Sequence, residues 1–119
     1  MRVHADHRRI AYCDLFPEGT PTGDVNVFVF NEGARTFWHR HQKQTDRFFV
    51  AKGLLNVRTS LGPGHPIVDY YLSDGDELTV PPNTFHGYEC LMHETVLMMY
   101  LSQKYDPTDE ERFPEDHVV

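Results

Sequence analysis

Gly33-Ala-Arg-Thr-Phe-Trp-His39-Arg-His41-Gln-Lys-Gln-Thr-Asp46-Arg-Phe-Phe-Val-Ala-Lys-Gly53 is the stretch on which the fold turns. Its aromatic and β-branched residues suit pleated strands, and the polar run from Gln42 to Thr45 suits a turn between two of them. Alternate side chains along a strand share a face, so His39 and His41 point together while Arg40 points away. A hairpin at Gln42 to Thr45 is expected to return Asp46 beside that pair on the adjoining strand. His86, beyond the Pro81-Pro82 break, can bring a third imidazole from a more distant strand. Three imidazoles and one carboxylate facing one interior suit a borderline divalent ion such as Fe, Mn, Ni, Cu or Zn. The competing role for Asp46 is a salt bridge to Arg47 or the orientation of an imidazole. The isolated His4, His7, His65, His93 and His117 read as ordinary core or surface residues.

Outward from this stretch the texture repeats. Short runs rich in Val, Phe, Tyr and Thr alternate with Gly, Pro, Asn and Asp. Strands are expected over 25–30, 37–41, 47–51, 54–60, 67–72, 77–80, 85–91 and 95–101. No window shows a 3.6-residue apolar period. The chain is therefore read as all-β, one domain of 119 residues closed as a sandwich or barrel. The core falls over about 25–101, with residues 1–24 as a less regular arm. Residues 105–119 read as an acidic tail or a short helical turn.

Composition limits the function classes. Hydrophobic residues at 39% exclude a disordered chain, and a net charge of −7 gives a nucleic-acid role no electrostatic support. No run approaches the 18 or so apolar residues of a membrane span. The charged opening lacks the apolar core of a secretory leader, and Cys13 and Cys90 are too few for a disulfide framework, so a reducing cytoplasm is expected. Between residues 35 and 58 the balance reverses: Arg35, Arg40, Lys43, Arg47, Lys52 and Arg58 face one acid, Asp46. That stretch is either an anion site, such as one for a phosphate, or a solvated strand with scattered charges.

Gly33, His39-x-His41, Asp46 and Gly53 at these spacings resemble the first motif of the cupin superfamily, with Asp where Glu is usual. Gly75, Pro81 and His86 resemble the second. The resemblance implies a double-stranded β-helix, a small jelly-roll barrel, and a site rather than a reaction. A narrower resemblance is carried by Trp38-His-Arg-His41, Gln44-Thr-Asp46, Val80-Pro-Pro-Asn-Thr-Phe-His-Gly-Tyr88 and Tyr105-Asp-Pro-Thr-Asp-Glu-Glu-Arg112. These blocks are similar to dTDP-4-dehydrorhamnose 3,5-epimerases and dTDP-sugar ketoisomerases.

That likeness implies proton abstraction next to a sugar ketone. The base is His39, as in the epimerases, or His41, as in the ketoisomerases; imidazole titrates in the right range for either. The epimerase tyrosine that returns the proton falls on Met99, so Tyr88 is the candidate acid, and Tyr100 is expected on the opposite face. Arg35, Arg47 and Arg58, with Gln44, are the candidate substrate-binding residues, arginine's fork suiting a pyrophosphate. Asp116 sits where the family tail carries a supporting acid. Three functions stay open: a nucleotide-sugar epimerase or isomerase, a metal cupin (dioxygenase or metal-assisted isomerase) on a small organic molecule, and a metabolite-binding cupin without catalysis. No organic cofactor is implied. A homodimer is expected, with Val25 to Phe30 pairing across a two-fold axis.

Overall fold

The computed structural model describes residues 2–13 and 23–113. Part of the expected arm, residues 14–22, and the expectations for Asp116 and His117 lie outside these residues. Eleven strands form two antiparallel sheets: β1 (Arg2–Ala5), β2 (Arg9–Cys13), β3 (Asp24–Phe30), β4 (Trp38–His41), β5 (Asp46–Lys52), β6 (Leu54–Ser60), β7 (Val68–Ser73), β8 (Glu77–Val80), β9 (Phe85–Cys90), β10 (Thr95–Leu101) and β11 (Glu110–Phe113). One sheet runs β1-β2-β3-β10-β5-β8 and the other β11-β4-β9-β6-β7. The all-β reading and the central strands hold. Two strands arise in the supposedly irregular N-terminal arm, and the tail supplies both a 3-10 turn, Pro107–Asp109, and β11.

The two sheets close on a core of alternating inward residues. Phe28, Phe30, Phe48, Val50 and Leu97 from the first sheet meet Leu55, Val57 and Leu72 from the second. The β5–β6 corner is a single residue, Gly53, at φ 107°. It lets the chain leave one sheet and enter the other at once, and a Cβ there would lie 2.7 Å from the Thr95 Cα. Asn83, at φ 62°, turns the chain before β9.

Two expectations are corrected. Gln42 to Thr45 is not a hairpin turn: β4 pairs with β9 and β11, whereas β5 pairs with β10 and β8. The segment crosses between sheets, so Asp46 faces the histidines across the barrel rather than beside them. Val25 to Phe30 cannot pair across a two-fold axis, because β3 lies inside its sheet with β2 on one edge and β10 on the other.

Candidate metal centre and cavity

β4 and β9 meet at one register point, His39 opposite His86. Alternation then turns His39 and His41 inward together, and their ring centroids lie 5.3 Å apart. The rings of His39 and His86 are 4.2 Å apart, and those of His41 and His86 5.7 Å. From the facing sheet, Asp46 places Oδ2 at 3.0 Å from His86 Nε2 and 3.4 Å from His41 Nε2. One ligand atom from each of His39, His41, Asp46 and His86 falls within 4.8 Å of the others. Arg40 points away as expected, paired with Glu111 at 3.1 Å and lying over the Phe85 ring.

Hydrogen bonding tests whether a metal fits. His39 Nδ1 meets the Phe37 carbonyl at 2.8 Å, and His86 Nδ1 meets the Thr84 carbonyl at 2.9 Å. Each ring is thus anchored by the carbonyl two residues back, which orients it and leaves Nε2 for the interior. His41 Nδ1 and Gln44 Oε1 are buried without a partner, a state that protein interiors avoid. Three imidazoles and a carboxylate, with neighbouring polar atoms unsatisfied, fit a borderline divalent cation.

The electrostatics agree with a tightly packed ionisable cluster. Burial, reinforced by the charge of His86, pushes the His39 pKa down to about 4, so this ring is neutral near pH 7. Burial also disfavours a charged His41, yet the hydrogen bond and charge of Asp46 outweigh it and raise its pKa. Asp46 itself is buried, but its bonds to His41 and His86 hold its carboxyl well below the usual range.

The turn behind the cluster has a clasp. The Asp109 carboxylate accepts from the backbone N–H groups of Gln42 at 3.0 Å, Lys43 at 3.2 Å and Gln44 at 3.1 Å. Asp109 comes from the tail, and sequence reading assigned it only a share of the acidic charge. Gln44 is buried, and its amide donates to Asp46 Oδ1. It therefore touches a cluster residue directly.

The cluster opens into a cavity of about 280 Å³ lined also by Tyr88, Arg9, Phe28 and Met99. Tyr88 faces inward, two residues along β9 from His86; burial raises its pKa and keeps the phenol protonated. Met99 lines the cavity while Tyr100 is 41% exposed on the other face, as the register predicts. The arginines singled out from sequence are placed elsewhere. Arg35 pairs with Glu89, and Arg58 pairs with Asp69 beside Trp38, along a separate outer groove. Arg47 follows inward-facing Asp46, so alternation turns it outward, into a groove with Glu77 and Thr79. Among the described residues, the cavity's cations are Arg2, Arg9 and Arg112 from β1, β2 and β11, strands not expected from the sequence.

Solved structures with this architecture place the chain in the cupin fold. CapF, the capsular polysaccharide assembling protein from Staphylococcus aureus, matches with a TM-score of 0.83 and 22% identity over 95% of this chain and 34% of that one. KdgF from Halomonas sp. matches at 0.73 and 20% identity over 91% of each chain. QdtA, a sugar 3,4-ketoisomerase from Thermoanaerobacterium thermosaccharolyticum solved with TDP, matches at 0.68 and 19% identity over 78% of this chain and 68% of that one. The chain spans about a third of the length of CapF. No protein-family model matches the sequence, and no curated protein matches it. At these identities the likeness establishes the fold.

Proposed function

We propose that the chain is a metal-dependent isomerase or epimerase that moves a proton at the carbon next to a ketone of a sugar-type substrate. The observation that carries the reading is the convergence of His39, His41, Asp46 and His86, three of which (His39, His41 and Asp46) line the cavity. These four residues would hold the ion, and a divalent cation there supplies a Lewis acid for a carbonyl oxygen. Tyr88 is the proton-bearing group of the same cavity. It accepts a hydrogen bond from Arg9 at 3.2 Å, which leaves its own O–H with no acceptor among the described residues and free to meet substrate. Phe48, T-shaped to both His86 and Tyr88, walls the space between them and excludes water.

Elemental analysis of untagged protein, paired with incubation of keto sugars in heavy water, tests the proposal. About one equivalent of transition metal and solvent deuterium at the carbon next to the carbonyl are expected. Less than about a tenth of an equivalent after reconstitution would remove the metal, and absence of deuterium uptake would remove the isomerase.

A second reading, a metal-free nucleotide-sugar isomerase, draws on the fold likeness to QdtA with its bound TDP and on the neutral, carbonyl-anchored His39 as base. A cavity of about 280 Å³ takes a hexose and leaves the nucleotide outside. Deuterium exchange by metal-stripped protein on a dTDP-4-keto sugar alone would favour it.

The homodimer is proposed on a different surface from the one expected. Phe28 and Leu97 face the core, so alternation puts Val27, Val29, Val96 and Met98 on the outer face of the six-stranded sheet, continued by Ile10, Tyr12 and Phe49. The middle of this face carries no charged side chain, Arg47 and Glu77 lying toward its β5–β8 edge, so copies carrying −7 repel least there. Free Cys13 and Cys90 suit the reducing cytoplasm.

A further inference from the structure

Arg9 opens β2 opposite Phe30, on the same inward phase as buried Ala11. Its Cζ lies 4.9 Å from the centre of the Phe28 ring, and Nη1 donates to the Tyr88 hydroxyl. Its Nε is buried with no partner. No carboxylate pairs with it among the described residues. Among the described residues, the two acids that line the cavity are committed elsewhere: Asp46 to His41, His86 and Gln44, and Glu110 to Arg112 at 2.7 Å and Tyr105 at 3.2 Å. An arginine stays charged at every working pH, and a buried, unpaired N–H on it is costly to the fold. A surface salt-bridge residue has no such arrangement. A residue kept for an incoming anion does.

We propose that Arg9 is the anion-recognising residue of the cavity and that the substrate carries a carboxylate, which makes it a keto-sugar acid rather than a neutral sugar. The inference rests on the isomerase reading above for the word substrate, and on Arg9 alone for the charge. Phe28 holds the guanidinium from one face, leaving the edge with Nε free, and that edge matches the two oxygens of a planar carboxylate. Tyr88 joins the two halves of the site: it touches Arg9 through its oxygen and stands two residues from His86 on β9. A ligand anchored by its carboxylate at Arg9 is thereby laid along Tyr88 toward the histidine cluster.

Binding of D-glucuronate, D-glucose and TDP to the full chain, measured by calorimetry, tests this with Arg9→Met and Arg9→Lys beside the wild type. Glucuronate is expected to bind the wild type, to bind Arg9→Met about tenfold or more weakly, and to recover in part with Arg9→Lys. Melting curves and metal content of each variant report whether the barrel and the histidine cluster survive the change; should Arg9→Met fail to fold, Arg9→Lys against the wild type carries the comparison. Glucose bound as well as glucuronate, no glucuronate binding by the wild type, or glucuronate affinity indifferent to Arg9 each overturns the proposal. TDP affinity that depends on Arg9 in place of glucuronate affinity assigns the residue to phosphate and overturns the carboxylate. Arg9-dependent glucuronate binding by protein without metal or exchange activity leaves the anion site standing while the isomerase reading falls.

Discussion

Asp46 Oδ2 lies 3.0 Å from His86 Nε2, although the two residues belong to different sheets. The contact spans the barrel interior, so one carboxylate both joins the histidine cluster and ties the sheets together at the cavity. Asp46→Ala is expected to weaken metal binding by about a hundredfold or more, since on the proposed reading it removes a ligand rather than a supporting residue. It should also lower the stability of metal-free protein by about 3 kcal/mol, because His41 and Gln44 lose their buried partner. Metal titration and urea unfolding measure the two effects separately.

Tyr88→Phe keeps the ring contacts with Phe30 and Phe48 and removes only the hydroxyl. Metal content and melting temperature should stay near wild type while exchange of the substrate proton slows about a hundredfold or more. Deuterium incorporation followed by NMR reads this directly. An unchanged rate would take Tyr88 out of proton transfer.

Acid should destabilise metal-free protein over a defined window. His39 titrates at about 4 when folded and near 6.5 when unfolded. Between those values the unfolded chain binds the extra proton, so stability is full above pH 6.5, falls as pH drops through the window and is lost below about 4. His41 has a raised pKa, so it opposes this slope only near the top of the window, where its unfolded imidazole begins to lose its proton, and Asp46 is held ionised in the folded state throughout. Urea unfolding at pH 4.5 to 6.5 should show a slope up to about 1.4 kcal/mol per pH unit that disappears in His39→Gln.

Asp109→Ala touches no metal ligand, yet it frees three backbone N–H groups of the turn between β4 and β5. A loss of about 2 kcal/mol is expected, with metal affinity falling about tenfold as Gln44 and Asp46 lose their fixed approach. Asp109→Asn should recover part of both, because its amide oxygen can still accept.

Val29→Glu places a charge at the middle of the apolar outer face, between Ile10 and Val96. Sedimentation of the wild type is expected at twice the 13.9 kDa chain mass and of the variant at the single mass, with the cavity unaffected. A monomeric wild type at all concentrations would dismiss this interface.

Much of the site is legible in spacing alone. His39-x-His41 needs only strand alternation to share a face, and Gly53 and Asn83 occupy the positive-φ positions that the repeat of turns demands. Alternation also contained the answer for Arg47, which follows an inward Asp46 and must turn outward; net charge along a stretch says nothing about faces. Arg9 was hidden for another reason. Arg9-Ile-Ala-Tyr-Cys13 has an inward phase only because β2 pairs with β3, and that pairing is a long-range event absent from local propensity. β11 was obscured likewise: Glu110-Glu-Arg-Phe113 looks like a solvated tail until its partner β4 is known.

The Asp109 clasp has a consequence for biogenesis. His39, His41, Asp46 and His86 all leave the ribosome before Asp109 does. A nascent polypeptide therefore carries all four clustered side chains while the turn that positions two of them is still unfastened, and on the metal reading proposed above the site takes its final shape only once Asp109 has been translated.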